Sequence, residues 1–232
     1  MVTVKKINTP IINTRSIEAS NKILGKLTTI HKTDKYNPQW IRTELKNQFG
    51  KTMGFELLTF NKEEKKGTGA VIEVEKEYRQ KGFKFGEILR LSSIIEILEN
   101  QIDEFEIHSK PSAIFFHSKY KFEPAINRFD ERDSALLSII ENSKEGFEEI
   151  KEEAEGLLEV SYRKKDPETQ RQLCKDTNAL LKKYIEKIQK TEYYKNFPFK
   201  CGMRMILTRN EILKNREFFN SLFINHRINY RI

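Results

Sequence analysis

Between Ala70 and Leu98 the chain passes from an apolar run, through a basic glycine-bearing turn, into a long helical pattern. The run is Ala70-Val71-Ile72-Glu73-Val74. The turn is Tyr78-Arg79-Gln80-Lys81-Gly82-Phe83-Lys84-Phe85-Gly86, and apolar periodicity then extends from Ile88 to Leu98. This order predicts strand, tight turn, helix. The start of a helix leaves several backbone N–H groups without intrahelical partners, and these sit at the positive end of the helix dipole. An anion, typically a phosphate, is favoured there. Arg79, Lys81 and Lys84 add full positive charge at the same place, so a phosphate-bearing ligand is the first expectation for the chain.

Around this unit the pattern is that of a mixed α/β domain. Phe55 to Phe60 reads as a strand, and Lys62 to Gly69 as a polar, glycine-containing hairpin connection. Asp103-Glu104-Phe105-Glu106-Ile107-His108 alternates as a half-buried strand does. Pro111-Ser112 opens a helix over Ala113 to Tyr120, Lys121 to Pro124 starts a strand, and Met203 to Thr208 is a returning strand. The first 50 residues or so are weakly patterned, with a strand at Thr28 to His31 and a short helix over Gln39 to Phe49, whose Trp40, Leu45 and Phe49 lie near one helical face. A short helix is expected around Phe218, Phe219 and Leu222 in the aromatic, basic tail.

Between residues 130 and 196 the period becomes purely helical. Leu136, Ile140, Phe147, Ile150, Ala154 and Leu157 form one stripe, and Leu173, Leu180, Tyr184 and Ile188 a second. Asp166-Pro167 separates them, Asp166 as the cap and Pro167 as the first residue of the next helix. The expected organisation is an α/β domain over 1–129 and 197–232, interrupted by a helical hairpin over 130–196.

The 232 residues carry a net charge of +8, unevenly spread. Asp130 to Glu159 holds 11 acidic and 3 basic residues, a balance of −8, which leaves +16 on the rest. A basic body favours anionic ligands without specifying nucleic acid. No run approaches the roughly 20 apolar residues that cross a bilayer, and Met1 to Asn8 lacks the apolar core of a signal peptide. The expectation is a cytoplasmic protein with no membrane partner. Cys174 and Cys201 lie far apart without metal spacing, so two reduced thiols and no metal site are expected.

Two segments carry a family resemblance. After Val74, Arg79-Gln80-Lys81-Gly82-Phe83-Lys84 is similar to a turn written Arg/Gln-x-x-Gly-x-Gly/Ala: Arg79 and Gly82 match, and Lys84 stands where Gly or Ala is usual. Downstream, Ala113-Ile114-Phe115-Phe116-His117-Ser118-Lys119-Tyr120-Lys121-Phe122 is similar to Ala-x-x-Phe-Tyr-x-Lys-x-Gly-Phe. Ala113, Phe116, Lys119 and Phe122 match, His117 replaces Tyr, and Lys121 replaces Gly. In this order, on strands and helices of the expected kind, residues 54–124 and 202–208 resemble the GNAT superfamily of N-acyltransferases.

The resemblance implies a mixed, mainly antiparallel sheet with flanking helices, and acetyl-CoA or another acyl-CoA as cofactor. It implies that backbone amides from Gln80 through Lys81, Gly82, Phe83 and Lys84 to Phe85, with Arg79 beside them, hold the pyrophosphate. The strand bearing Ile72 and Val74 would splay from the strand of Ile107 and take the pantetheine arm, with Phe116 and Lys110 contributing to the cofactor site. His117, at the family's Tyr, would protonate the leaving thiolate. An ordinary thiol has a pKa near 8.5 and imidazolium one near 6.5, so the transfer runs downhill from a protonated His. Glu106 and Glu73 are the candidate bases, with a water relay as the alternative.

The implied activity is transfer of an acyl group, acetyl first, to a primary amine on a small molecule or protein. An acidic helical face would attract a cationic acceptor. The same helices offer a homodimer interface or a substrate wall. Two other classes stand beside this reading: a GNAT-fold binding protein without activity, and an enzyme acylating an RNA-bound amine such as aminoacyl-tRNA.

Overall fold

A computed structural model describes residues 11–21, 25–34, 39–79, 82–191 and 197–232. The chain divides into two compact units, residues 1–105 with 208–232, and residues 106–207.

The first unit is built on an antiparallel meander. Strands β1 (Ile11–Asn21), β2 (Gly25–Asp34), β3 (Trp40–Asn47), β4 (Thr52–Asn61) and β5 (Lys66–Val74) each pair with the next. Residues 40–47 are therefore a strand, which corrects the expectation of a short helix over Gln39 to Phe49. The reason is the period. Ile41, Thr43 and Leu45 are all buried, every second residue, while Trp40 and Phe49 are exposed. The buried threonine conceals that alternation in the sequence.

In β5, Leu57 pairs with Val71 and Leu58 with Gly69, so Ala70 is the extra residue of a β-bulge just before the segment that leads into the basic turn. Helix α1 (Phe85–Glu99) packs on β3, β4 and β5. It is buried over almost its whole circumference, from Glu87 to Ile97, and three of its buried polar side chains meet partners on the sheet. Ser92 Oγ meets Thr29 Oγ1 at 3.2 Å, and Ser93 Oγ donates to Glu56 Oε2 at 2.7 Å. Arg90 Nη1 lies 3.0 Å from Glu56 Oε1. Helices α6 (Arg209–Lys214) and α7 (Arg216–Asn225) close this unit against α1.

In the second unit β8 (Met203–Thr208) lies between β6 (Glu104–Ser109) and β7 (Glu123–Pro124), antiparallel to β7. Helix α2 (Ile114–Lys119) follows β6, preceded by a 3-10 turn over Pro111–Ala113. The helical segment contains three helices, α3 (Phe129–Asn142), α4 (Glu148–Arg163) and α5 (Pro167–Gln189). The stripe from Leu136 to Leu157 predicts one continuous helix, whereas the chain breaks at 143–147, where Gly146 takes φ 84°. Ile139 and Leu158, not Ile140 and Leu157, are the buried positions. At the second junction Asp166 accepts from the Thr169 N–H at 2.8 Å, with Pro167 as the first helical residue.

Arg132, 1% exposed, ties the three helices together. Its guanidinium reaches Asp133 at 2.7 Å, Ser161 Oγ at 2.5 Å and Gln170 Oε1 at 2.8 Å. The acidic face of α4 is partly neutralised from α5, because Lys183 Nζ holds Glu149 at 2.9 Å and Glu153 at 3.2 Å. Among the described residues no helix is long and apolar enough to cross a membrane.

Candidate functional site

The turn after β5 begins as a 3-10 turn over Lys76–Tyr78. Gln80 and Lys81, both expected at the cofactor, lie outside the described residues. Gly82 takes φ 72° and Lys84 φ 57°, so two left-handed residues bracket Phe83 immediately before α1. Only glycine adopts this conformation without steric cost. A Cβ added at Gly82 would meet nothing within 4 Å, so the backbone there faces open space. Lys84 is the N-cap residue, and its side chain makes no capping bond. Its carbonyl accepts from the Glu87 and Ile88 N–H groups at 3.0 and 3.2 Å. Successive N–H groups at alternating backbone conformations before a helix form a concavity that suits an anion.

Three aromatic rings stiffen this turn. Phe83 stacks on Phe85 with centroids 5.4 Å apart, and Tyr78 sets its edge against both, at 5.9 and 5.6 Å. Phe85 is buried, whereas Lys84 and Gly82 are exposed. Arg79 turns back toward the strand, its Nε donating to the Val74 carbonyl at 2.6 Å and its Nη2 lying 2.9 Å from Glu73 Oε1. Ile72 and Val74 are half-buried on β5, and Glu73 is exposed apart from that pair.

In the second unit Glu106 on β6 faces Arg204 on β8, Oε2 to Nη2 at 2.5 Å. His117 is 4% exposed. Its helix ends in a tight left-handed cap: Lys121 takes φ 67°, the Phe122 N–H reaches the His117 carbonyl at 3.2 Å, and the Lys121 N–H reaches that of Ser118 at 2.9 Å. The cap brings the Phe122 ring to 5.6 Å from the imidazole, with Phe116 at 5.2 Å on another side. Lys110 is exposed and begins the turn before α2.

The two lysines that depart from the family motifs, Lys84 and Lys121, thus both stand in the left-handed region. Lys84→Gly and Lys121→Gly are each expected to raise stability by about 0.5–1 kcal/mol, as strain relief of about 1–2 kcal/mol outweighs the extra flexibility of glycine. Urea denaturation checks this, and a loss of stability in both variants would contradict it.

A cavity of about 260 Å³ opens in the second unit among His108, Asp130, Ser134, Ser138, Phe199 and Met203. Gly202 permits its back wall, since a Cβ there would come within 2.4 Å of the Ser109 carbonyl oxygen and 3.0 Å of His108 Nε2. No local sequence pattern announces this cavity, because only folding brings α3 residues Asp130, Ser134 and Ser138 together with His108 and Met203. Nor does one announce Tyr78 as a brace of the turn, or the buried contact of His226 with Glu87, 2.5 Å from Nε2 to Oε1. Among the described residues no group of three or more His, Cys, Asp or Glu side chains is placed to hold a metal ion.

No family model and no curated protein matches the sequence. Solved structures match over part of it. GCN5 of Tetrahymena is 13% identical, with a TM-score of 0.36 over 40% of this chain and 57% of that one. A GNAT-family acetyltransferase of Staphylococcus aureus is 23% identical, with a TM-score of 0.36 over 41% of this chain and 60% of that one. The PaiA N-acetyltransferase of Thermoplasma acidophilum, in complex with coenzyme A, is 18% identical, with a TM-score of 0.33 over 40% and 58%. The chain therefore spans less than two thirds of each of these proteins. It is similar, over part of its length and at low identity, to members of the superfamily that its two motifs resemble.

Proposed function

We propose that the chain is an acyl-CoA-dependent N-acyltransferase, with acetyl as the acyl group and a primary amine as acceptor. The observation that supports this most is the turn from Gly82 to Phe85. Two left-handed residues, open space at Gly82 and a helix start not capped by the Lys84 side chain suit a diphosphate, held by backbone amides with Lys84 at its edge. Acyl-CoA is a substrate here. The amine nitrogen attacks the thioester carbonyl, the carbon–sulfur bond breaks, and the thiolate takes a proton from His117. The proton lost by the amine passes to a carboxylate, directly or through water. Glu106 and Glu73 each already hold an arginine, Arg204 and Arg79. That pairing favours a water relay to one of their remaining oxygens over direct contact.

The cavity beside His108 is the place proposed for the acceptor. Its volume falls below the roughly 300–1,000 Å³ of pockets for drug-sized ligands, which suits a small amine or a single side chain. Asp130 offers a carboxylate to an ammonium group, although it also pairs with Arg128 at 2.9 Å.

Isothermal titration with coenzyme A and acetyl-CoA tests the reading. Saturable binding is expected, followed by release of free thiol when a panel of primary amines is added. Absence of binding up to about millimolar concentration, a free energy near −4 kcal/mol, would rule it out. Binding without turnover on any amine would support the inactive-protein alternative.

A further inference from the structure

Glu87 occupies the third position of α1, from which a carboxylate ordinarily reaches back to the backbone N–H of the N-cap residue. In that posture it would place a negative charge on the amides that an anionic ligand needs. Here the carboxylate is drawn into the core instead, 5% exposed, with Oε1 2.5 Å from Nε2 of His226, itself 6% exposed. His226 is fixed from two directions. Helix α7 ends in a left-handed cap at Arg227, φ 51°, where the Ile228 N–H reaches the Phe223 carbonyl at 2.9 Å and the Arg227 N–H that of Ile224 at 2.9 Å. The His226 carbonyl in turn accepts from the Ser20 N–H of β1 at 2.8 Å. The end of the chain is thus pinned to the first strand and to the first turn of α1.

We infer that His226 is a positioning residue for the diphosphate of coenzyme A: by holding the Glu87 carboxylate away from the N-terminus of α1, it leaves the amides of the Gly82–Phe85 turn to the ligand. The inference rests on the acyl-CoA reading above. Within it, an element some 140 residues away in sequence keeps a like charge off the anion site, a role distinct from any direct contact with the ligand.

The epistasis between the two positions tests this. His226→Ala is expected to weaken coenzyme A binding by about three- to tenfold, the scale of one charge at a helix terminus. It should leave binding of acetyl-pantetheine, which lacks the diphosphate, unchanged. Glu87→Gln alone should bind coenzyme A at least as tightly as the wild type. Adding Glu87→Gln to His226→Ala should restore affinity to within about twofold, because the amide in place of the carboxylate carries no charge. A merely structural contact predicts the reverse, with the double variant as weak as the single one or weaker. Unchanged affinity in His226→Ala, or failure of Glu87→Gln to restore it, overturns the inference while the acyl-CoA reading stands. Should His226→Ala not fold, Glu87→Gln decides: weakening beyond threefold overturns the role. A wild-type protein that binds no coenzyme A overturns both.

Discussion

Replacing Arg90 with methionine is expected to destabilise the first unit by about 3–5 kcal/mol, because it leaves the Glu56 carboxylate buried without its cation. Both side chains are almost fully buried, 2% and 1% exposed, with 3.0 Å between Arg90 Nη1 and Glu56 Oε1. Burial pushes the Glu56 carboxyl above the usual range, and Arg90 and the Ser93 hydroxyl oppose that shift only in part. The folded state therefore binds this proton more tightly than the unfolded chain, and stability falls as pH rises from about 4.5 toward the folded value. Removing Arg90 widens that window. The deficit of the variant should be greatest near neutral pH and shrink toward pH 5, as urea melts across that range would show. The double change Arg90→Met with Glu56→Leu should recover most of the loss, since an apolar pair removes both desolvation costs. Ser93 would keep a partner, as its hydroxyl also reaches the Leu89 carbonyl at 3.2 Å. A single variant as stable as the wild type at pH 7 would mean that water reaches the pair.

This pair also marks where sequence reading loses its grip. The strand–turn–helix unit from Ala70 to Leu98 is legible because its apolar residues keep their periods and glycine punctuates the turn. Asp166-Pro167 is legible because a cap and a fixed φ are local facts. Glu87, Arg90, Ser92, Ser93 and Glu96 are polar residues scattered around α1, yet all five are buried. Glu56, Thr29 and His226, the partners of Arg90, Ser93, Ser92 and Glu87, come from distant strands or the end of the chain, and no local pattern announces them. Trp40 to Asn47 failed for a related reason. A buried Thr43 interrupts the apolar alternation, and Trp40 and Phe49 supply a false helical face. In the site, residue types at the two motif positions looked like departures, Lys84 and Lys121 for small residues. In this chain both lysines take a left-handed φ, which a residue with a Cβ adopts at a cost.

The two elements given roles in the proposed function are held by different means. The Gly82–Phe85 turn is braced by Tyr78, Phe83 and Phe85, and on the proposal that it holds a diphosphate through its amides, single substitutions at exposed Lys84 should tune affinity without abolishing it. On the acyl-CoA proposal, backbone geometry should matter more there than charge, because N–H groups would do the binding. In the proposed reaction His117 would be the opposite case, since no backbone group can take the place of an imidazole that gives up a proton.

His117→Phe is expected to lower kcat by about 10²–10⁴ while leaving KM for acyl-CoA within about twofold, the range for loss of a proton-transferring side chain. The imidazole is held rather than loose. The α2 cap at Lys121 fixes its backbone carbonyl, and the rings of Phe122 and Phe116 lie 5.6 and 5.2 Å from it, so phenylalanine can occupy the same buried space. That makes the substitution a test of chemistry more than of packing, provided thermal melts of the two proteins agree. His117→Tyr supplies the discriminating arm. The motif that this segment resembles carries tyrosine here, and a phenol can also protonate a thiolate, so activity should return to within about tenfold of the wild type. If Phe and Tyr variants are equally impaired, the loss belongs to packing. If His117→Phe keeps kcat within about threefold, the thiolate leaves without help from this residue, and proton donation must then come from solvent or from another group near the thioester.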